Sequence, residues 1–397
     1  MRVLFTSVSA IGHVHPMVPL AHALRDRGHE IRWLTGPDAT PRLAAAGNTA
    51  VAVGIPWEDV RSEYRRRYPE AASLAPVEVP DHVFPSLFGE IAPPIVLEDV
   101  LRFAREWRPD LVINDAGEFS GPIAAAATGV PSATHGFGAL TPVHRVEGAA
   151  ERVAPLWRSV GLEPRAYGGL YAHLYLDIYP PSLQVAPTDH VPHRQLLRPV
   201  AFDDAGDAST IDLEAGPDAD PLVYLTLGTI NRDRAPLQTA LEGIAGLQVR
   251  VLVTVGPAGD PEAFGPQPGH VRVERYVPQT RVLRHCAVVV SHAGSGTFLA
   301  TLAQGVPQLC LPQAADQFLN AAACAASGAG LTLQPHEATA EAIGAAVSRL
   351  LDESSFRDAA RKLAAEIAAM PGPADVVSVL ETLAAPTVGQ AARTSTS

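Results

Sequence analysis

The sequence predicts an α/β protein of two doubly wound parallel-sheet units facing each other across a cleft. Three observations carry this. Short β-branched runs alternate with segments of helical period through the first half of the chain. From Phe202 to Pro221 the composition turns to Asp, Ala, Gly and Ser, with little to bury, which reads as a linker. After it the alternation restarts, and strands separated by helices pair in parallel.

Val3 to Thr6 reads as the first strand, and Met17, Leu20, Ala21 and Leu24 share one face of a helix that stops at Gly28. A strand at Ile31 to Leu34 follows. Further on come a helix at Ile95 to Trp107, a strand at Leu111 to Ile113 ending at Asp115, a helix at Phe119 to Thr128 and a strand at Val130 to Thr134. Beyond the linker, strands are expected at Leu222 to Leu227, Val249 to Val255, Val271 to Tyr276, Val288 to Ser291, Val306 to Leu311 and Leu331 to Leu333. Helices are expected around Leu237 to Ile244, Thr297 to Ala303, Gln317 to Ala326 and Thr339 to Leu351. The implied organisation is a first domain over 1–201, a linker over 202–220, a second domain over 221–370, a final helix over 371–385 returning to the first domain, and a disordered tail over 386–397. Ligands of open α/β sheets bind outside the carboxyl ends of the strands, so the site is expected in the cleft between the domains. The stretch Pro56 to Pro94 mixes proline, aromatic residues and charge without a clean period. With Trp57, Tyr64, Tyr68, Phe84 and Phe88 in it, it reads as a binding wall rather than a disordered loop.

A net charge of -12 over 397 residues argues against a nucleic-acid or anionic-membrane surface, which calls for clustered Lys and Arg. The one basic run, Arg65-Arg66-Arg67, sits beside Glu63 and Glu70 and reads as a solvated face. Cys286, Cys310 and Cys324 have neither metal spacing nor an even count, which fits core thiols in a reducing, cytoplasmic compartment. Arg2 alone is a thin basic region, and Gly12, His13 and His15 interrupt the first apolar run, so a signal peptide is not expected. No apolar run is long enough to span a membrane.

The stretch Ala287 to Gln317 carries the most chemistry. A β-branched run ends in His292-Ala293-Gly294-Ser295-Gly296-Thr297, a helix follows, and a second short strand ends at Pro312 before Asp316-Gln317. Small residues let a ligand approach the backbone, and the free N–H groups that open a helix make a seat for phosphate. A His before the turn adds a hydrogen bond or a positive charge, and Asp316 and Gln317 can bond sugar hydroxyls. This is not the dinucleotide fingerprint, because Leu299 stands where a third glycine is required and no acidic residue closes the next strand. The reading is a diphosphate cradle for a nucleotide sugar.

In the first domain, Gly12-His13-Val14-His15-Pro16 lies between the first strand and helix, which places His13 at the crevice mouth. A helix N-terminus disfavours the imidazolium and keeps such a His able to accept a proton. Asp115, at the end of another strand of the same sheet, can take the other ring N–H, as in a His–Asp dyad. His15 is the rival base. His135, in Thr134-His135-Gly136-Phe137-Gly138, follows a first-domain strand and is a candidate, with Phe137, Phe84 and Phe88, for the acceptor pocket.

Together these residues resemble the GT-B nucleotide-sugar glycosyltransferases of the family-1 type. Gly12-His13-x-x-Pro16 is similar to the family's base motif, and Asp115 lies where its His-orienting Asp lies. Tyr276-Val277-Pro278-Gln279, His292-x-Gly294-x-Gly296-Thr297, Gly305-Val306-Pro307 and Pro312-x-x-x-Asp316-Gln317 resemble its donor signature. The resemblance covers nearly the whole chain and is nearest to actinobacterial enzymes that decorate polyketides and enediynes. Tyr179-Pro180-Pro181-Ser182-Leu183-Gln184, Leu197-Arg198-Pro199-Val200 and Leu222 to Thr229 resemble the calicheamicin glycosyltransferases in particular.

The resemblance implies two Rossmann-like domains and an inverting displacement. His13 would deprotonate the acceptor hydroxyl while Asp115 holds it. His292, Gly294, Ser295, Gly296 and Thr297, with Gly228 and Thr229, would hold the diphosphate. Tyr276 would stack on the pyrimidine, the Val277 backbone would read its edge beside Gln279, and Asp316 and Gln317 would meet the sugar. No metal or other cofactor is implied, and Asp218-Ala219-Asp220, which matches a metal-binding pattern of another fold, sits in the linker and is given no role. Two departures matter: Tyr276 replaces the Trp of plant relatives, and Ala300 replaces the ribose-gripping Glu of UDP-dependent ones. The second favours a dTDP-sugar over a UDP-sugar, with a hydrophobic natural-product aglycone as the other substrate. A Ser hydrolase is disfavoured for want of a Gly-x-Ser-x-Gly elbow, and a nucleotide-sugar 2-epimerase for want of further acidic residues. A catalytically silent nucleotide-sugar-binding partner remains the alternative, and monomer or homodimer stays open.

Overall fold

Valine-rich strands such as Val288, Val289 and Val290 have no exposed surface, as parallel strands covered by helices on both faces require. The computed structural model describes residues 1–203, 219–228, 234–256 and 259–385. In the first sheet, β1 (Arg2–Thr6), β2 (Glu30–Thr35), β3 (Ala50–Ala52), β4 (Leu111–Asp115), β5 (Ser132–His135), β6 (Leu174–Asp177) and β7 (Arg194–Leu196) run in the order β3-β2-β1-β4-β5-β6-β7. In the second, β8 (Leu222–Thr226), β9 (Arg250–Thr254), β10 (Val271–Glu274), β11 (Cys286–Ser291), β12 (Gln308–Cys310) and β13 (Gly330–Thr332) run in the order β10-β9-β8-β11-β12-β13. The strands pair in parallel throughout.

The order reverses between β1 and β4 in one sheet and between β8 and β11 in the other, and crevices open at such switch points. Thr6 pairs with Asn114, so the chain leaving β1 toward His13 passes beside Asp115. Thr226 pairs with Ser291, so Gly228 and His292 leave their strands side by side. Pairing register thus gathers both predicted clusters at carboxyl ends.

One apolar core joins the two halves. Val3, Phe5, Leu20 and Leu24 pack in the same cluster as Phe298 and Leu302 of the helix Ser295–Ala303 and as Val376, Val377 and Leu380 of the helix Pro373–Ala384. That last helix lies against the helix Val18–Asp26, with His29 Nε2 and Glu381 Oε1 3.0 Å apart. Phe202 and Asp203, at the start of the expected linker, are docked: Phe202 packs edge-on against His15, and Asp203 accepts from Gln279 N and Thr280 N at 3.0 and 2.9 Å. The rest of the linker within 204–218 and the tail 386–397 lie outside the described residues.

The stretch Pro56 to Pro94 is helical rather than a loop. It forms the helices Trp57–Arg67 and Val79–Val83 and a π-helical segment Phe84–Ile91 that runs into the helix Ala92–Trp107. A π turn breaks the 3.6-residue period, so the apolar positions lose a clean repeat although Val60, Tyr64, Leu87 and Ile91 all face one small core. Arg66 and Arg67 pair with Glu63, and Arg67 also with Glu90, on the solvated side. The first helix also begins earlier than its apolar period suggests, as a short turn Ile11–Val14 followed by the 3-10 segment His15–Met17. Helices Val143–Ser159 and Ser354–Ala369 complete the coat. Among the described residues no single helix is long and apolar enough to cross a membrane.

Leu380 has no exposed surface. Leu380→Ala is expected to cost about 2–5 kcal/mol of unfolding free energy, read from denaturant titration, because its methyls close the seam between the last helix and the first domain.

Candidate active site

Asp115 ends β4, fully buried, and its carboxylate is held by backbone: Val8 N donates to Oδ2 at 2.8 Å and Gly117 N to Oδ1 at 2.6 Å. His13 Nδ1 lies 2.8 Å from the same Oδ1. A carboxylate only accepts, so Nδ1 carries a proton toward Asp115 and Nε2 is the ring nitrogen left to the opening. The imidazole is packed between Phe137, ring centroids 4.3 Å apart, and Phe88, at 5.4 Å, with its side chain 12% exposed. This is an imidazole oriented by a buried carboxyl group, with its other ring nitrogen in a small aromatic opening.

Gly117 is a site residue that sequence reasoning missed. A Cβ there would sit 2.9 Å from His13 Cε1 and 3.1 Å from Asp115 Oδ1, so only glycine lets the pair close. Glu118, also missed, is buried beside Asp115 and caps the helix Ser120–Thr128, accepting from Ser120 N at 2.6 Å, Gly121 N at 2.8 Å and Thr6 Oγ1 at 2.5 Å. Burial raises its carboxyl pKa against the pull of those donors.

Two acceptor candidates lie inside the first domain. His135 is fully buried within β5, with Nδ1 2.6 Å from Gly136 O, so it lines no surface. Phe84 is buried in the first-domain core against Phe119, whereas Phe88, four residues on, reaches His13. Trp57 stacks on Phe88 at 5.7 Å and extends the aromatic wall.

On the other side of the cleft, Gly294 caps the helix Ser295–Ala303, whose first N–H groups have no acceptor within the helix. Among the described residues a Cβ on Gly296 would meet nothing within 4 Å, so none of them covers this turn. Cβ atoms on Gly228 and Gly294 would come within 2.6 and 2.5 Å of the His292 ring, so the two glycines clamp the imidazole. Burial pushes His292 down to about 4 and its Nδ1 has no hydrogen-bond partner among the described residues, so of the two expected roles the hydrogen bond, rather than the positive charge, is the one this environment favours. Gln279 and Thr297 bond each other, Nε2 to Oγ1 at 2.9 Å, and tie the segment behind Tyr276 to the cradle helix. Tyr276 is half-buried and Val277 buried. Ala300 is buried in one apolar cluster with Val277 and Val306. Ser295 Oγ donates to Asp316 Oδ2 at 2.5 Å, and Gln317 Oε1 accepts from Gln313 N and Ala314 N, stiffening the Asp316 turn. Thr229 and Asp218 lie outside the described residues. Among the described residues no group of three or more His, Cys, Asp or Glu is placed to hold a metal ion.

Adjacent residues connect the two sides. Phe137 packs on His13, and a Cβ on its neighbour Gly138 would lie 1.9 Å from Ser295 Oγ. Since neighbouring Cα atoms are about 3.8 Å apart, the His13 ring and the cradle helix meet across a single dipeptide. Gly138→Ala is expected to force the domains apart there and cost about 1–3 kcal/mol, seen as a lower melting temperature. The two buried histidines also set an acid limit. His135 and His292 are both pushed down from 6.5 to about 4 by burial. The unfolded chain therefore binds protons that the folded one refuses, and stability present above about pH 6.5 is lost as pH falls toward 4. A pH series of denaturant titrations is expected to show that slope, flattened in His135→Gln.

Comparison with known proteins gives the family. The family model described as erythromycin biosynthesis protein CIII-like, N-terminal domain, matches residues 22–228, and its C-terminal counterpart matches 238–383. Elloramycin glycosyltransferase ElmGT of Streptomyces olivaceus is 35% identical over 96% of this chain and 97% of its own. L-demethylnoviosyl transferase of Streptomyces niveus is 36% identical with the same coverages, 96% and 97%. Among solved structures, glycosyltransferase VinC in complex with dTDP superposes with a TM-score of 0.80 at 27% identity, covering 97% of this chain and 99% of that one. Spinosyn rhamnosyltransferase SpnG complexed with spinosyn aglycone does so at 0.80 and 28%, covering 96% and 100%. With both family models and full-length relatives aligned over the two GT-B domains, the chain belongs to the erythromycin biosynthesis protein CIII-like family and is a natural-product glycosyltransferase.

Proposed function

We propose that the protein transfers a deoxysugar from a dTDP-sugar to a hydroxyl of a hydrophobic natural-product acceptor, with inversion and without a metal. The observation that carries this is the His13–Asp115 pair, with one ring nitrogen protonated and held at 2.8 Å and the other free in an aromatic opening that abuts the cradle helix. His13 Nε2 takes the acceptor proton as the oxygen attacks the anomeric carbon. Asp115 stabilises the imidazolium as it forms. Attack from the His13 side, with the diphosphate leaving toward Ser295, Gly296 and Thr297, is a single displacement and inverts an α-linked donor. The helix N–H groups meet the charge of the departing dTDP, while His292 adds a neutral contact. Tyr276 stacks on the thymine and Asp316 and Gln317 hold the sugar.

In this reading 1–201 is the acceptor-binding domain, 202–220 the linker, 221–370 the nucleotide-sugar-binding domain and 371–385 a helix that returns to the first. Phe88, Phe137 and Trp57 supply an apolar wall for a ring-rich aglycone. Support for dTDP over UDP comes from apolar Ala300 at the ribose face and from the dTDP that VinC binds.

Calorimetric titration with dTDP and UDP, with and without Mg²⁺, tests the donor side. Binding that prefers dTDP, needs no metal and is lost in His292→Ala is expected; no binding of either nucleotide would point instead to a silent partner. For the base, His13→Ala is expected to lower turnover about 10²–10⁴-fold with the dTDP affinity unchanged. Asp115→Asn is expected to lose about 10²-fold or more, because its amide can donate to Nδ1 and so favours the tautomer whose Nε2 is already protonated.

A further inference from the structure

We propose that Asn320 is a positioning residue for the donor cradle, and that Tyr179 anchors it to the first domain so that donor affinity depends on how the two domains dock. The inference rests on reading Gly294 to Thr297 and Asp316 as the donor site. Asn320 lies on the helix Gln317–Ser327 and has no exposed surface. Its Nδ2 donates to Ala293 O at 2.9 Å, Ser295 Oγ at 3.0 Å and Asp316 Oδ2 at 3.3 Å. Its Oδ1 accepts from Tyr179 O–H at 3.0 Å. One buried amide thereby touches the turn before the cradle, the first hydroxyl of the cradle helix and the carboxylate assigned to the sugar.

Each contact has a consequence at the site. Ala293 is held at a φ of 63°, a left-handed conformation that costs a non-glycine residue energy, and the amide pins its carbonyl there. Asp316 Oδ2 receives both Ser295 and Asn320, which leaves Oδ1 as the oxygen free for a sugar hydroxyl. Tyr179 belongs to the first domain and is also fully buried, so its hydroxyl has no water to replace Asn320. It opens the segment Tyr179 to Gln184, whose Ser182 bonds Glu366 through both N and Oγ, while Arg198 N donates to Pro371 O at 2.7 Å. Both segments that the reaction itself leaves without a role thus clasp the second half of the chain. Tyr179 is the member of that clasp that reaches the cradle.

The test measures dTDP affinity by calorimetry and melting temperature for the wild type, Tyr179→Phe and Asn320→Ala in the full chain. Loss of one buried hydrogen bond to the cradle is expected to weaken dTDP binding about fivefold in Tyr179→Phe, which removes one oxygen and is the variant that keeps the fold if Asn320→Ala does not. The double variant is expected to be no weaker than Asn320→Ala alone, because the two act as one unit. A lower melting temperature with unchanged dTDP affinity in Tyr179→Phe would make the network merely structural and overturn the inference, leaving the donor site standing. No dTDP binding by the wild type would overturn the donor-site reading and this one with it.

Discussion

The hydrogen bond between His13 Nδ1 and the buried Asp115 is the interaction around which the first domain's site is arranged. A carboxyl group with no exposure needs its oxygens hydrogen-bonded, and here two backbone N–H groups and one imidazole meet them. Those donors come from the loop after β1 and the turn after β4, which adjoin only because the two strands pair across the switch point of the sheet. Remove the pairing and the ring has no fixed tautomer. The same constraint explains Gly117, where any side chain would enter the space the imidazole and the carboxylate share.

The second domain solves the opposite problem, keeping a polar ring uncharged beside the turn proposed to take the diphosphate. Gly228 and Gly294 close on His292 from two strands, and burial favours its neutral form. In the proposed reading, a diphosphate seated there depends on oriented N–H groups rather than on a fixed cation. Such dipoles hold charge without the desolvation cost of a buried ion. The Asp316 turn is stiffened in the same spirit, with Gln317 bonded to two backbone N–H groups and Ala315 in a left-handed conformation.

Between the domains lies a continuous apolar core, not a wet hinge. Phe298 and Leu302 of the cradle helix share a cluster with Val3 and Phe5 of the first sheet, and Tyr179 stacks on Phe298. The helix Ser295–Ala303 is therefore seated on first-domain side chains as much as on its own sheet. Relative motion of the halves must act through that seam.

The sequence by itself determined the alternation of strands and helices, the two carboxyl-end clusters and the residues His13, Asp115, His292 and Gly294, because period and turn chemistry are local. It read Pro56 to Pro94 as a binding wall but missed its helices, since a π turn displaces the apolar repeat that a periodic reading relies on. Tertiary structure alone decided the rest. His135 and Phe137 are two residues apart, yet one is sealed inside the sheet and the other packs on His13. Phe84 and Phe88 differ in the same way. Asp203, Gly117 and Asn320 carry no signature at all, because each acts on residues distant in sequence: Asp203 on Gln279, Gly117 on His13, Asn320 on Tyr179. Strand order and domain docking choose those partners, and neither is written in any one segment of the chain.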